Sequence, residues 1–475
     1  MRKRRTEAGD GAPRCGRTPA HAALASCAAV ALAAASALPA RAAPASAADD
    51  GRPAPYAFAR DARTITGATG TTDAVRLDPG HLYRSALPPG AKRYYRLDLD
   101  AADDAYVSAT AVPRAGARVT SSDGLKVSVQ DADGTTCSSG TAHFGPTQSP
   151  HPIAAWASRE TGPGTYGCKG AGPYYVVVER RDLTAALPVS WDLELDYVSE
   201  PAPRRAGAVT PPGTWNSAPP EPLLGEAARR AGGAGFAAAS AVGQGVWQDG
   251  IRPGETLFYK VPVDWGQQLS ASVEMGSSGG GDGYVGTALA MSLYNPVRAY
   301  VEDADAGYSG AQTSAALDPL PPVDYANRGA VGSRAGGMRF AGWYYLAVHL
   351  GAPMAERFGS GPFGLTLRVR VSGKPVPGPV YAGRSAPRDV FQVTDADREE
   401  AAAGAGTRSD AGPGDGSGGF SPRTTPARVG KVAAADTRAM TMVAVGGIGT
   451  GSALVLWLGL WTVAARRRER RRAAG

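Results

Sequence analysis

The two cysteines that lie beyond the N-terminal apolar segment are the first residues whose spacing suggests chemistry. Cys137 and Cys168 are 31 positions apart, and in an oxidising compartment such a pair forms a disulfide. His143 and His151 lie between them, so a zinc site and a pair of free thiols are the alternatives. The spacing C-x5-H-x7-H-x16-C matches no zinc-binding pattern. We therefore predict a disulfide that closes this loop.

Two acidic turns carry the oxygen ligands that calcium prefers. Asp131 and Asp133 belong to the first turn, and Asp303 and Asp305 belong to the second. Neither stretch continues as a full EF-hand loop, so solvated turn carboxylates are the competing interpretation. We keep these four residues as calcium candidates and otherwise predict no metal centre and no cofactor.

Three glycine-rich stretches match catalytic or nucleotide-binding motifs in form only. Residues 276–280 fit G-x-S-x-G, residues 281–286 fit G-x-G-x-x-G, and residues 415–419 resemble a serine-protease motif. The first two motifs need a helix to follow, but glycines follow one and a strand pattern follows the other. The third lies in a low-complexity stretch. We attribute all three to composition and predict no catalytic residues.

The segments around these residues have a β pattern that occurs twice. An aromatic residue, an aliphatic residue, Pro-Gly and an aromatic pair follow one another at fixed spacing from Tyr83 and again from Trp247. A later Gly-x-Tyr-Tyr block begins at Gly172 and again at Gly342. The two blocks recur in the same order at offsets of 164 and 170 residues, which indicates an internal duplication.

Short alternating segments bounded by Pro and Gly predict antiparallel sheets. We predict a mainly β chain with two jelly-roll-like antiparallel β-sandwich domains, residues 52–198 and 223–373, joined by a Pro-rich linker at 199–222. Neighbouring rings of each aromatic pair should face opposite sides of a sheet. One ring then enters the core, and the other either packs across strands or stacks on a sugar.

These blocks together resemble a known family. The repeated Pro-Gly-aromatic block, the Asp131–Gly134 turn and the late Gly-x-Tyr-Tyr-x-x-Val segment resemble the bacterial pre-peptidase C-terminal domain. The whole chain resembles actinobacterial membrane-anchored proteins that carry such domains. The resemblance implies a jelly-roll-like β-sandwich and a non-catalytic module appended to secreted hydrolases. This sequence departs from the pattern because no peptidase domain is recognised in it. Both copies also carry long insertions, at 142–163 and 299–338.

The two ends of the chain carry export signals. Residues 1–47 combine a basic start, an Ala-rich apolar run and A-x-A sites that end at Ala42 and Ala47, which predicts a signal peptide cleaved after one or the other. Residues 439–465 carry no charge and are long enough to span a bilayer as a helix. The Arg-rich tail at 466–475 predicts a cytoplasmic C-terminus.

The predicted membrane helix contains one motif that brings helices together. Gly447 and Gly451 form GxxxG, which lets two helix backbones approach closely. A homodimer or another helix pairing is the functional interpretation, and the general frequency of Gly in such helices is the alternative. Residues 374–438 are rich in Ala, Gly and Pro, which predicts a flexible stalk between the sandwiches and the membrane.

The charge distribution narrows the class of partner. The formal net charge is +7, but residues 1–47 and 466–475 each contribute +5, so the rest of the chain carries −3. A nucleic-acid partner is therefore not expected. The Ala, Gly and Pro bias is typical of a high-GC genome, here interpreted as actinobacterial.

The combined features predict a single-pass cell-membrane protein whose N-terminal part is extracytoplasmic. We expect a non-catalytic binding or structural protein, with a protein partner or a cell-wall glycan as its ligand. The alternatives are a membrane-complex subunit that acts through its helix and tail, and an envelope hydrolase with an unrecognised carboxylate site.

Overall fold

Short alternating segments pair into four β-sheets. The computed structural model describes residues 52–403 apart from 163–164, 166, 183–188, 206–209, 211–212, 222 and 224. These residues form twenty strands and a few short helices, so the described part of the chain is mainly β, as predicted. The predicted signal peptide, the predicted membrane helix with Gly447 and Gly451, and the basic tail lie outside the described residues. Among the described residues, no helix has the length and apolar character needed to cross a membrane.

The first copy contains ten strands. They are β1 Arg63–Thr64, β2 Val75–Arg76, β3 His81–Leu87, β4 Lys92–Leu99, β5 Asp104–Val112, β6 Gly124–Gln130, β7 Thr136–His143, β8 Ile153–Arg159, β9 Gly172–Arg181 and β10 Trp191–Glu200. Sheet 1 has the order β2-β4-β9-β6-β7, and sheet 2 has the order β1-β3-β10-β5-β8. Apart from the short parallel strands β1 and β2, neighbours are antiparallel. Apart from β6 and β7, which pair as a hairpin in sheet 1, consecutive strands lie in opposite sheets, an arrangement found in jelly rolls.

The second copy repeats this arrangement strand by strand. Its strands are β11 Ala228–Arg229, β12 Ser240–Ala241, β13 Gly245–Ile251, β14 Thr256–Val263, β15 Gln268–Met275, β16 Val285–Tyr294, β17 Tyr300–Tyr308, β18 Thr313–Ala316, β19 Gly342–Leu350 and β20 Phe363–Ser372. Sheet 3 has the order β12-β14-β19-β16-β17, and sheet 4 has the order β11-β13-β20-β15-β18. Every strand in these two orders is the counterpart of one in sheets 1 and 2, which is consistent with the duplication.

Each copy has its own apolar core between its two sheets. Tyr95 and Tyr174 enter the first core, and Tyr259 and Tyr344 enter the second, all at most 4% exposed. The other ring of each pair points away from its core because side chains alternate along a strand. The expectation that paired rings face opposite sides is therefore confirmed.

The predicted disulfide is present. Cys137, in β7, is bonded to Cys168, with 5.7 Å between the Cα atoms. Both sulfur-bearing residues pack against the first core. The bond consumes both thiols, so neither the zinc site nor the free-thiol alternative applies.

Residues 374–403, here named the strap, run back over both copies, although the sequence assigned them to the stalk. The described residues form three helices, α1 Ser333–Gly337, α2 Met354–Phe358 and α3 Asp395–Ala403, of which only α3 lies in the strap. Short 3-10 turns lie at Gly145–Thr147, Phe236–Ala238 and Tyr325–Gly329. The strap pairs with the first copy at Ser199↔Ala386 and ends in α3. Thr394 and Asp397 exchange hydrogen bonds at the start of α3, which is a capping-box arrangement that starts a helix. The Ala-rich composition had concealed this signal.

Candidate functional site

The outer face of sheet 2 packs against sheet 3, and we name this buried contact the joint. Its apolar part is a cluster drawn from both copies and the strap. The members are Tyr106, Val198, Val297, Ala299, Phe340 and Phe391. Four sheets therefore stack in the order 1, 2, 3, 4, and the outer faces of sheets 1 and 4 lie at the two ends of the stack.

Arg298, in the turn between β16 and β17, pairs with two carboxylates of β10. Its guanidinium lies 2.5 Å from Glu194 and 3.2 Å from Asp196. Burial raises the pKa of Asp196, against the effect of Arg298. Burial alone would lower the pKa of Arg298, but Asp196 and Glu194 outweigh it and raise that pKa. The pair is nearly inaccessible, with 5% and 0% of the Arg298 and Glu194 side chains exposed.

Arg328 forms a second buried centre at the edge of the joint. It pairs with Glu200, donates to the Tyr106 hydroxyl at 3.0 Å and lies 3.6 Å from Asp104. Tyr381 of the strap donates to Glu200 at 2.7 Å. Burial raises the pKa of the Asp104 carboxyl to about 6.

Arg339 makes the third contact between the copies. Its guanidinium donates to both carboxylate oxygens of Glu160, at 3.1 and 3.2 Å, and lies over the Trp156 ring. Burial would raise the pKa of Glu160, but Arg339 and Arg328 outweigh it and lower that pKa. In all three centres an arginine from the second copy meets acids from the first.

Two histidines from different copies stack within the same contact. The rings of His151 and His349 lie 4.4 Å apart and nearly parallel. Burial lowers the pKa of His151 to about 4 and the pKa of His349 well below its usual value. Nδ1 of His151 lies 2.7 Å from the Ser149 carbonyl, and Nδ1 of His349 lies 2.9 Å from the Glu255 carbonyl. Both rings are therefore neutral, with the proton on Nδ1.

The calcium candidates form local contacts instead of one converging site. Asp131 accepts from the backbone N–H groups of Asp133 and Thr135. Asp303 accepts from the Tyr300 hydroxyl, and Asp305 lies 3.4 Å from the Thr287 hydroxyl. Across the described residues, no group of three or more His, Cys, Asp or Glu side chains could hold a metal ion.

Sequence reasoning missed the acidic and basic residues of the joint. The outward positions of β10 are acidic, at Asp192, Glu194 and Asp196, whereas those of β20 include Arg368 and Arg370. This contrast between corresponding strands of the two copies was visible in the sequence. The acidic outward face of β10 can pair with arginines of another surface, whereas the outward face of β20 already carries arginines.

No protein-family model matches the chain, and no curated protein matches it. Among solved structures, the tandem CBM22 domains of a Paenibacillus barcinonensis protein are similar to this chain at 9% identity, with a TM-score of 0.18. The similarity covers 64% of this chain and 95% of that chain. The CUB1-EGF-CUB2 domains of human MASP-1/3 share 8% identity over 61% of this chain and 99% of that one, with a TM-score of 0.15. Such low TM-scores support no conclusion about function.

Proposed function

We propose that this chain is a non-catalytic cell-surface binding protein. In it, two β-sandwiches act as one rigid body, displayed outside the membrane on a single-pass C-terminal anchor. The observation that carries the proposal is the joint. Three buried arginine–carboxylate centres and an apolar cluster tie the copies together, and the strap crosses both.

A carboxyl group of the joint also bears on the alternative function, an envelope hydrolase. Asp104, with its raised pKa, is the natural candidate for a general acid. However, it accepts from the backbone N–H and the hydroxyl of Thr161, at 2.7 and 3.0 Å, and it faces Arg328 in a buried contact. Its hydrogen-bonding capacity is used within the protein, which favours binding over catalysis.

The stack leaves two sheet faces for recognition. On sheet 1, Tyr94 and Tyr175 point outward from neighbouring strands and are partly exposed. Within the described residues, neither side chain has a hydrogen-bond or ring partner. A rigid stack holds this face and the outer face of sheet 4 at a fixed separation, which suits a binding protein.

Site-specific photocrosslinking in intact cells tests the proposal. A photoreactive phenylalanine analogue replaces Tyr175 on sheet 1 or Thr366 on sheet 4 of the full chain. Val331, which is fully exposed in the loop between the 3-10 turn Tyr325–Gly329 and α1, is the control position. We expect an identified protein or glycan adduct from at least one outer face and none from Val331. Absence of adducts from both faces, together with hydrolysis of envelope material by the purified chain, would overturn the proposal.

A further inference from the structure

A trench of about 690 Å³ crosses the outer face of sheet 4, and its floor is made of glycine. Gly250 in β13 pairs with Gly364 in β20, and the N–H of Gly276 donates to the Gly364 carbonyl at 3.0 Å. Glycine is disfavoured inside strands and commonly marks a place where another molecule or backbone approaches closely. Three glycines side by side therefore need a physical reason.

Neither backbone conformation nor packing supplies that reason. None of the three glycines has a positive φ. A Cβ at Gly364 would meet nothing within 4 Å, and at Gly250 and Gly276 the nearest atoms would be at 3.5 and 3.9 Å, which are ordinary contacts. The fold would accept a Cβ at all three positions, and the absence of side chains there keeps the trench open.

The first copy shows the same positions filled. By strand register, Gly250 corresponds to Ala86, Gly364 to Asp192 and Gly276 to Val112. The two copies share one strand order, so the jelly roll itself does not require glycine there. The trench is a property of the second copy.

A row of polar side chains forms the wall beside the floor. Cross-strand register places four of the lining residues in line over four neighbouring strands of sheet 4: Arg229, Gln248, Thr366 and Glu274. At the usual strand spacing this row is about 14 Å long. The adjacent residues Trp247, Leu365 and Met275 are buried in the core, so the row itself faces outward.

The chemistry of the trench fits a neutral polar ligand. Arg229 and Arg230 are balanced by Asp249 and Glu274 among its lining residues, and Glu274 already pairs with Arg368 at 2.7 Å. This balance of charges gives the trench no basic patch of the kind that binds nucleic acid. An extended peptide would seek the free backbone groups of a sheet edge, whereas the trench lies on a sheet face whose backbone groups are paired. Recognition must therefore come from side chains.

We infer that the trench binds a neutral oligosaccharide. A short run of sugar rings would lie over the glycine floor, and its hydroxyls would hydrogen-bond to Gln248 and Thr366. Within the described residues, neither of these side chains has a hydrogen-bond partner. The volume is within the range of small-molecule sites, and the length of the wall selects several linked sugars over one. The inference rests on the proposed binding function and specifies its ligand class.

Filling the floor tests this assignment without removing a contact. Gly364→Val adds a side chain where the structure has space, and valine has a higher strand propensity than glycine, so the variant should fold at least as well as the parent. Gly286→Val is the matched control, because a Cβ at Gly286 also meets nothing within 4 Å and the residue lies on β16 of sheet 3. Thr366→Ala leaves the trench open and removes one hydroxyl.

The full chain in detergent is titrated with soluble hexasaccharides of β-1,4-linked glucose, xylose and N-acetylglucosamine. We expect at least one to bind the parent and Gly286→Val alike, Thr366→Ala to bind several-fold more weakly, and Gly364→Val to lose at least tenfold in affinity with an unchanged or higher Tm. Unchanged affinity in folded Gly364→Val, or no binding of any of these saccharides to the parent, would overturn the inference. If Tyr175 still yields adducts in cells, that failure concerns the trench alone and not the proposed function.

Discussion

Arg298 is the single residue whose loss should damage the joint most. Its guanidinium is the cation for both Glu194 and Asp196, at 2.5 and 3.2 Å. Removing one partner of a buried pair leaves an uncompensated charge and costs about 3–5 kcal/mol. We therefore expect Arg298→Met to lower the free energy of unfolding by about that amount, measured by urea denaturation of the full chain in detergent.

An exposed ion pair on the same sheet supplies the control. Arg84 and Asp192 are 3.3 Å apart with nearly half of each side chain exposed, and exposed pairs contribute about 1 kcal/mol or less. Arg84→Met should therefore change the unfolding free energy by about 1 kcal/mol or less. Equal losses in both variants would show that burial of Arg298 is not what makes its pairing important.

Sequence reasoning succeeded for the cysteines and failed for the joint. Two cysteines in a copy that the sequence predicts to be exported leave few pairings, so the bond between Cys137 and Cys168 could be predicted from their number and the expected oxidising compartment. Arg298 and Glu194 are 104 positions apart and belong to different copies. Their contact depends on how the copies stack, and no local pattern encodes that.

At the scale of elements, the disulfide is the connection that restrains the first copy most directly. The bond joins β7 to a residue 31 positions later, and a closed loop of this length restrains the unfolded chain by about 3–4 kcal/mol in the chain-entropy account. We expect the double substitution Cys137→Ser and Cys168→Ser to lower the unfolding free energy of the first copy by about that much. Chemical denaturation under oxidising conditions measures it, and a change below about 1 kcal/mol would contradict the expectation.

The strap is the element that sequence reasoning placed wrongly, and its anchoring residue is Phe391. This ring is 3% exposed and stacks on Phe340 at 4.8 Å. Removing a buried phenylalanine typically costs about 3–5 kcal/mol. We expect Phe391→Ala to release the strap, seen as faster hydrogen exchange in residues 386–403 with unchanged exchange in sheet 1. Tyr284→Ala, at a 67% exposed ring, should change neither, and slow exchange retained in Phe391→Ala would show that other contacts hold the strap.

At the scale of the whole molecule, local periodicity was enough for the strands but not for their assembly. Alternation around Tyr95 and Tyr259 predicted that one ring of each aromatic pair enters a core, and the repeated blocks indicated two copies. The order of the sheets depends on surfaces far apart in sequence. The trench was hidden for a related reason: Gly250, Gly276 and Gly364 lie in three separate strands, and only the register brings them side by side.

The joint should also give the whole molecule a pH-dependent stability, and the sign follows from the histidines. Burial lowers the folded pKa of His151 to about 4, below an ordinary value of about 6.5. Between these values the unfolded chain binds a proton that the folded chain does not. Stability is therefore fully present above about pH 6.5 and falls as the pH falls towards 4. Asp104 acts in the opposite sense, because burial raises its pKa to about 6 and its folded form gains stability from protonation as the pH falls.

Two substitutions separate these opposed contributions. One histidine in this window contributes a slope of up to about 1.4 kcal/mol per pH unit. His151→Asn should therefore flatten the loss of unfolding free energy between pH 6.5 and 4.5, whereas Asp104→Asn should steepen it. Urea denaturation of the full chain at pH 6.5, 5.5 and 4.5 measures both slopes. If His151→Asn leaves the slope as it is in the parent, protonation of His151 does not couple the joint to pH. His349 and Glu160, whose folded pKa values are also lowered, would then account for any loss of stability in acid.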